Sequence, residues 1–158
     1  MEKLAIIVDT REQAAYAFSD DRVEVVRRAL PAGDYSLEGY EESVAVERKS
    51  LEDFVSTVIR ERERFHRELK KLKGYDASCI VVEADFRDVL DGTYRSGAHP
   101  HSVLGAVLSI VVDFQIPVYF CSDRQAACLF VEGFLTRYHR KATQPCDINR
   151  AETQSQTL

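Results

Sequence analysis

The chain has no tryptophan and a single methionine, and its four cysteines are scattered. Cys79, Cys121, Cys128 and Cys146 stand far apart without Cys-x-x-Cys spacing. Cys79 and Cys121 lie inside apolar runs, where a free thiol packs as a small hydrophobe. This usage implies a reduced, intracellular protein, with a cytoplasmic location as the expectation. Long hydrophobic runs are also missing. The longest, around Val103 to Val112, is broken by Gly105 and Ser109 and stopped by Asp113. It falls short of the roughly 20 residues that a membrane span needs, so no membrane partner is expected. The N-terminus lacks a basic flank followed by a long apolar stretch, the mark of an export signal. Basic charge is not in excess either: 21 Lys and Arg against 26 Asp and Glu give a net charge of −5. The balance argues against a surface that grips nucleic acid all over, but not against a local basic stripe.

What remains is 158 residues, 45% of them hydrophobic, enough for one domain with a real core. Residues 1–141 are expected to form that domain and residues 142–158 a polar, flexible tail. Leu4 to Val8 reads as a buried strand opening into Asp9-Thr10-Arg11-Glu12. Val23 to Leu30 reads as a second strand, halted by Pro31-Ala32-Gly33. Ser43 to Glu47 alternates as a strand. Ser50 is a good N-cap, with Asp53 three residues on, for one helix running to Leu72 before Gly74. Cys79 to Val82 is a strand closed by Glu83, and residues 91–102 are a polar loop. Val103 to Phe114 is an apolar helix, Pro117 to Cys121 a last strand and Arg124 to Arg140 a last helix. A meander of strands followed by alternating strands and helices predicts an α/β fold, a mixed central sheet flanked by helices.

Three acids close three of these strand-like segments: Asp9, Asp34 and Glu47. Residues i and i+2 of a strand face one side, so Glu47 and Lys49 project together, and Asp34 can reach the same spot. Hard carboxylate oxygens suit Mg2+ or Mn2+. A lysine beside such an ion can stabilise charge developing on phosphorus.

An acid followed by Glu-x-Lys is the pattern of the PD-(D/E)XK nucleases. The neighbouring residues sharpen it: Val8-Asp9-Thr10-Arg11-Glu12, Leu30-Pro31-Ala32-Gly33-Asp34-Tyr35, and Val46-Glu47-Arg48-Lys49-Ser50-Leu51-Glu52-Asp53. With these motifs the chain resembles the XPF-type structure-specific nuclease domain, over roughly residues 4 to 120. The resemblance implies a restriction-endonuclease-like fold and metal-dependent hydrolysis of DNA at branched, flap or other non-duplex structures in repair or recombination. It implies Asp9, Asp34 and Glu47 as metal ligands, with the Arg48 carbonyl as a further one, and Lys49 as the catalytic lysine. Arg11, Glu12, Arg48 and Asp53 would support the site or hold phosphate. It also implies a homodimer through the nuclease domain. Two departures point to a compact, stand-alone form of bacterial or phage type. No tandem helix-hairpin-helix module follows, and Ile59 to Phe65 keeps arginines where a Gly-Arg-Leu-like element is common.

Several residues have two readings. Asp53 is a capping acid, a site residue or both. Arg60, Arg64, Arg67 and Lys71 form a helical stripe that either faces water, helped by Arg60–Glu63, Glu63–Arg67 and Arg64–Glu68 pairs, or touches phosphates. His99 and His101 suggest a metal only if further ligands join them. Tyr94, Arg95 and His99 are candidates for the DNA path. Glu83 is a partner that supports the site or a plain strand-end acid, with the latter favoured, and Leu104, Val107, Leu108, Val111 and Val112 read as core. The rival class of function is a catalytically silent nuclease-like scaffold that docks DNA or a partner; a nuclease acting on RNA is a third.

Overall fold

A computed structural model describes residues 2–145. The elements run β1 (Leu4–Val8), β2 (Val23–Arg27), β3 (Tyr35–Leu37), β4 (Val44–Lys49), α1 (Leu51–Arg60), α2 (Arg62–Lys73), β5 (Ala77–Val82), α3 (Phe86–Asp91), α4 (Pro100–Val112), β6 (Val118–Phe120) and α5 (Arg124–Thr143). Six strands form one mixed sheet in the order β2-β1-β3-β4-β5-β6. The β1–β3 and β3–β4 pairs are antiparallel, while β1–β2, β4–β5 and β5–β6 are parallel. This is the mixed, helix-flanked sheet that the alternation predicts.

Both faces of the sheet are covered, and the two-residue period of β4 shows how. Val44 and Val46 join Ile6, Val8, Tyr35, Cys79 and Val81 against Ala127, Val131 and Leu135 of α5. Ala45 joins Ile80 and Val82 on the other face, against Phe54, Phe65, Leu69, Val103 and Ile110 of the remaining helices. Beyond Val46 the same alternation sends Glu47 and Lys49 to the α1–α2 side and Arg48 to the α5 side.

Five expectations change. First, the opening strands are not a simple meander. Residues 9–22 carry buried Tyr16 and Phe18 across the sheet end, so β2 returns parallel to β1. Second, β2 stops at Arg27 because the chain turns inward, where Leu30 N–H meets the Asp9 carboxylate. Third, the long helix after Ser50 is two helices. Glu61 leaves helical geometry (φ −114°, ψ 34°), although its N–H still donates to Thr57 and its carbonyl accepts from Phe65. The apolar spacing continues across the break, so nothing local marks it. Fourth, α3 is a short helix without a counterpart in the sequence reading, and α4 starts at Pro100, with the His99 ring nitrogen accepting from His101 N–H as its cap. Fifth, only one stripe of α4 packs inward: Val107 is buried, but Leu108, Val111 and Val112 face solvent, at 53%, 42% and 68% exposure. Helix α5 continues through Thr143, inside the segment expected to be a tail. The rest of that segment, from Cys146 onward, lies outside the described residues.

No helix of the described residues is long and apolar enough to cross a membrane.

Candidate active site

The strand ends align the three acids. Tyr35 pairs with both Val8 and Val46, so the next residues, Asp9, Asp34 and Glu47, sit in one row across β1, β3 and β4. Two backbone bonds hold the row: Asp9 N–H to Asp34 O at 2.9 Å and Asp34 N–H to Val46 O at 2.8 Å. Gly33 makes the approach possible. Its φ is +75°, and a Cβ there would lie 3.1 Å from both Ala45 Cβ and the Val46 carbonyl oxygen. Left-handed backbone and close approach to β4 are together a position for glycine.

Asp34 and Glu47 are half-buried neighbours of like charge. Burial and the Glu47 charge push the Asp34 carboxyl up to about 8, against the pull of the Arg48 N–H that donates to its Oδ2 at 2.7 Å. Burial also raises Glu47, with Lys49 as the main counterweight; Lys49 Nζ stands 3.4 Å from Glu47 Oε1. The Lys49 ammonium lies over the Phe65 ring of α2, its Nζ 6.0 Å from the centroid. Without a further positive charge the two carboxyls act as one unit that keeps a proton near neutrality.

Asp9 is in a different state. Its side chain is only 2% exposed, and both oxygens are engaged: Oδ1 by Leu30 N–H at 2.8 Å, Oδ2 by Arg11 Nε at 2.8 Å. Burial opposes its charge, but the Arg11 and Leu30 donors outweigh that and hold the carboxyl below its ordinary value. Among the described residues, no three His, Cys, Asp or Glu side chains converge closely enough to hold a metal as placed.

The supporting residues divide by face. Arg11 is largely exposed, with its guanidinium held by Asp9 and the Leu30 carbonyl. Glu12 is buried, accepts from Ala14 N–H and stands 3.6 Å from Arg48. Arg48 lies behind the sheet, against Glu83 at 2.7 Å. Glu83 is thus a partner of the signature arginine and no plain strand-end acid. Asp53 lies in the exposed first turn of α1, its N–H donating to Ser50 Oγ at 3.2 Å. Its carboxylate accepts no hydrogen bond among the described residues, so the reciprocal half of a capping box with Ser50 is not formed.

The basic stripe is interrupted. Arg60 ends α1, whereas Arg64, Arg67 and Lys71 ride on α2 beyond the break at Glu61. All four are exposed. Among the described residues, the ion pairs of this stripe are Arg64–Glu61 at 3.2 Å and Lys71–Glu68 at 3.5 Å, and not the expected Arg60–Glu63, Glu63–Arg67 and Arg64–Glu68. In the 91–102 segment, Tyr94 donates to the Ala98 carbonyl, Arg95 N–H binds Glu52, and His99 caps α4.

Sequence reasoning overlooked three contributors. Tyr16 stacks on Tyr35 at 5.2 Å, Arg124 of α5 donates to the carbonyls of Ala14 and Ala15, and Glu68 of α2 acts on both Arg11 and Glu47 through its charge. Each acts across a long stretch of chain, where no local pattern would show it.

This arrangement coincides with a known family. The model of the ERCC4 domain matches residues 8–134. The chain belongs to the ERCC4 domain family. Among curated relatives of this ERCC4 domain, a putative ATP-dependent RNA helicase from Methanocaldococcus jannaschii is 34% identical over 122 residues, 77% of this chain and 14% of the relative. The 3'-flap repair endonuclease Xpf of Saccharolobus solfataricus is 27% identical over 126 residues, 77% of this chain and 50% of the relative. The chain therefore spans half or less of the length of these relatives. Two solved structures share the fold. XPF from Aeropyrum pernix superposes with a TM-score of 0.72 at 24% identity, covering 96% of this chain and 69% of that one. The same protein in complex with DNA gives 0.68 at 23% identity, covering 91% and 69%.

Proposed function

We propose that this ERCC4 domain is a divalent-metal-dependent endonuclease that hydrolyses DNA phosphodiester bonds, with branched or flap structures as its substrates. The observation that carries the reading is the half-buried Asp34–Glu47 pair with Lys49 beside it, in a family that includes a flap endonuclease. Two adjacent carboxyls raised by burial, and Asp34 by the Glu47 charge as well, are a poor arrangement for an isolated protein and a good one for a hard cation. Asp34 and Glu47 would hold Mg2+ or Mn2+, with the Arg48 carbonyl as a further oxygen. Asp9 would join only if Arg11 lets go of its Oδ2.

A bound ion would supply Lewis-acid withdrawal of charge from the phosphoryl group. The protein's own groups do the rest. Lys49, held beside Glu47, offers its N–H groups to charge developing on the phosphoryl oxygens. Arg11, tethered to Asp9 through Nε and to the Leu30 carbonyl through Nη2, can grip a phosphate oxygen with its remaining N–H groups. Arg64 and Arg67, with Arg60 and Lys71, would attract the DNA backbone without reading sequence. The exposed apolar side chains Leu108, Val111 and Val112 of α4, Tyr119 of β6 and Leu129 of α5 suit a second copy of the chain. The test is cleavage of flap, fork, bubble and duplex DNA and of matching RNA with Mn2+ or Mg2+. Metal-dependent cutting of branched DNA is expected. Binding without any cutting would favour the silent scaffold, and preferential cutting of RNA would overturn the DNA assignment.

A further inference from the structure

Glu83 does more than close a strand. Its N–H donates to the Lys49 carbonyl at 2.9 Å, extending the β4–β5 ladder just past the Lys49–Val82 pair. Its Oε1 stands 2.7 Å from Arg48 Nε, and its Oε2 lies 4.0 Å from Arg124 at the start of α5. Arg124 in turn binds the carbonyls of Ala14 and Ala15, in the loop that carries Arg11 and Glu12. The guanidinium groups of Arg48 and Arg124 both lie against the Tyr16 ring, 5.6 and 4.8 Å from its centroid. Tyr16 stacks on Tyr35, the residue after Asp34, and its N–H donates to Tyr35 Oη at 3.0 Å. One carboxylate is therefore linked, directly or through one neighbour, to the three segments that carry Asp9, Asp34 and Glu47.

Stability does not explain this cluster. Among the described residues, the buried side-chain polar atoms without a hydrogen bond are Tyr16 Oη, Arg48 Nε and Glu83 Oε1, and all belong to it. The Arg48–Glu83 contact is close, but its N–H is not aimed along it. Unsatisfied buried polar atoms are destabilising, and a buried ion pair often does no better than apolar side chains of similar volume. What the cluster provides is position. Arg48 N–H holds Asp34 Oδ2, and its flanking residues are Glu47 and Lys49.

We propose that Glu83 is a positioning residue of the nuclease site, fixing the Arg48 side chain and the Lys49 backbone from behind the sheet. The proposal rests on the nuclease reading above. Glu83→Gln keeps volume and backbone but removes the charge that faces both arginines. It should lower kcat about tenfold at unchanged KM for DNA, the pattern of a lost transition-state arrangement. It should also weaken Mn2+ binding to the DNA-free protein, measured by calorimetry, and speed amide hydrogen exchange at Arg48 beyond what the lower melting temperature of a broken ion pair accounts for, with assays run well below that temperature. Glu83→Asp keeps the charge but shortens its reach, so it should share these defects. Full restoration by Asp, or unchanged Arg48 exchange and kcat in the Gln variant, would overturn the proposal. So would a fall in kcat that only follows a fall in melting temperature. If the wild type cuts no DNA, the nuclease reading fails separately, and Arg48 exchange still decides whether Glu83 positions the strand end.

Discussion

The end of β4 and the outer face of α2 are both rich in charge, yet they treat it in opposite ways. At the end of β4, Glu47 and Lys49 are each less than a fifth exposed, and Asp34 sits against them. On α2, Arg64 and Lys71 are more than half exposed and pair with glutamates three residues away on the same stretch of chain. Charge that stays in water is cheap to keep and easily exchanged. Charge pressed together out of water carries a penalty that something else must offset. The strand end is therefore where specific chemistry is expected, and α2 is where non-specific attraction is.

Substitutions test this contrast most sharply at Asp34. Asp34→Asn removes a charged oxygen at nearly equal volume, and cleavage should fall by roughly 10³-fold or more, as for loss of a principal metal ligand. The same change should stabilise the metal-free fold. The Asp34 carboxyl rises to about 8 on folding, so the folded chain retains a proton that the unfolded chain releases above its ordinary value near 4. That group's contribution is fully present below about 4 and is lost as pH climbs toward about 8. The melting temperature of Asp34→Asn should accordingly gain on wild type across that window and match it at lower pH. A variant that loses stability as pH rises would show that the pair is not strained by its own charge.

Lys49→Ala comes next. It removes a donor, not an ion ligand, so the rate should drop by about 10²-fold with cation binding retained. Loss of cation binding with an intact rate at saturating metal would reverse the roles of Lys49 and the carboxylates. The smallest effect belongs to α2. The double change Arg64→Ala, Arg67→Ala should raise KM more than it lowers kcat and flatten the salt dependence of DNA binding by about two phosphate contacts. Stability should move by only a few tenths of a kcal/mol, on the order of one surface pair. An unchanged salt slope would remove α2 from the DNA path and erase half of the contrast.

The strand-end cluster was readable because its logic is local. Alternation along β4 separates Glu47 and Lys49 from Arg48, and Pro31-Ala32-Gly33 delivers Asp34 beside them. The mixed sheet, its flanking helices and the row of acids follow from such short-range patterns; the parallel return of β2, the break at Glu61 and the short α3 do not. What was not readable depends on contacts between distant residues. Arg124 reaches Ala14 across 110 positions, and Glu83 meets Arg48 only because β5 pairs with β4 in one register. The engagement of both Asp9 oxygens is likewise invisible until Leu30 folds back onto it. The apolar face of α4 misleads for another reason: hydrophobic residues surround that helix, so spacing alone does not tell core from surface at Leu108 or Val112.

The most direct measurement is a calorimetric titration of Mn2+ into the DNA-free protein at neutral pH, wild type against Asp34→Asn, repeated in buffers of different ionisation heat. If Asp34 and Glu47 form the cation site, wild type binds the ion and releases a proton as it does so, and the variant binds far more weakly. Equal affinity in the two proteins, with no proton released by either, would contradict the assignment of the site.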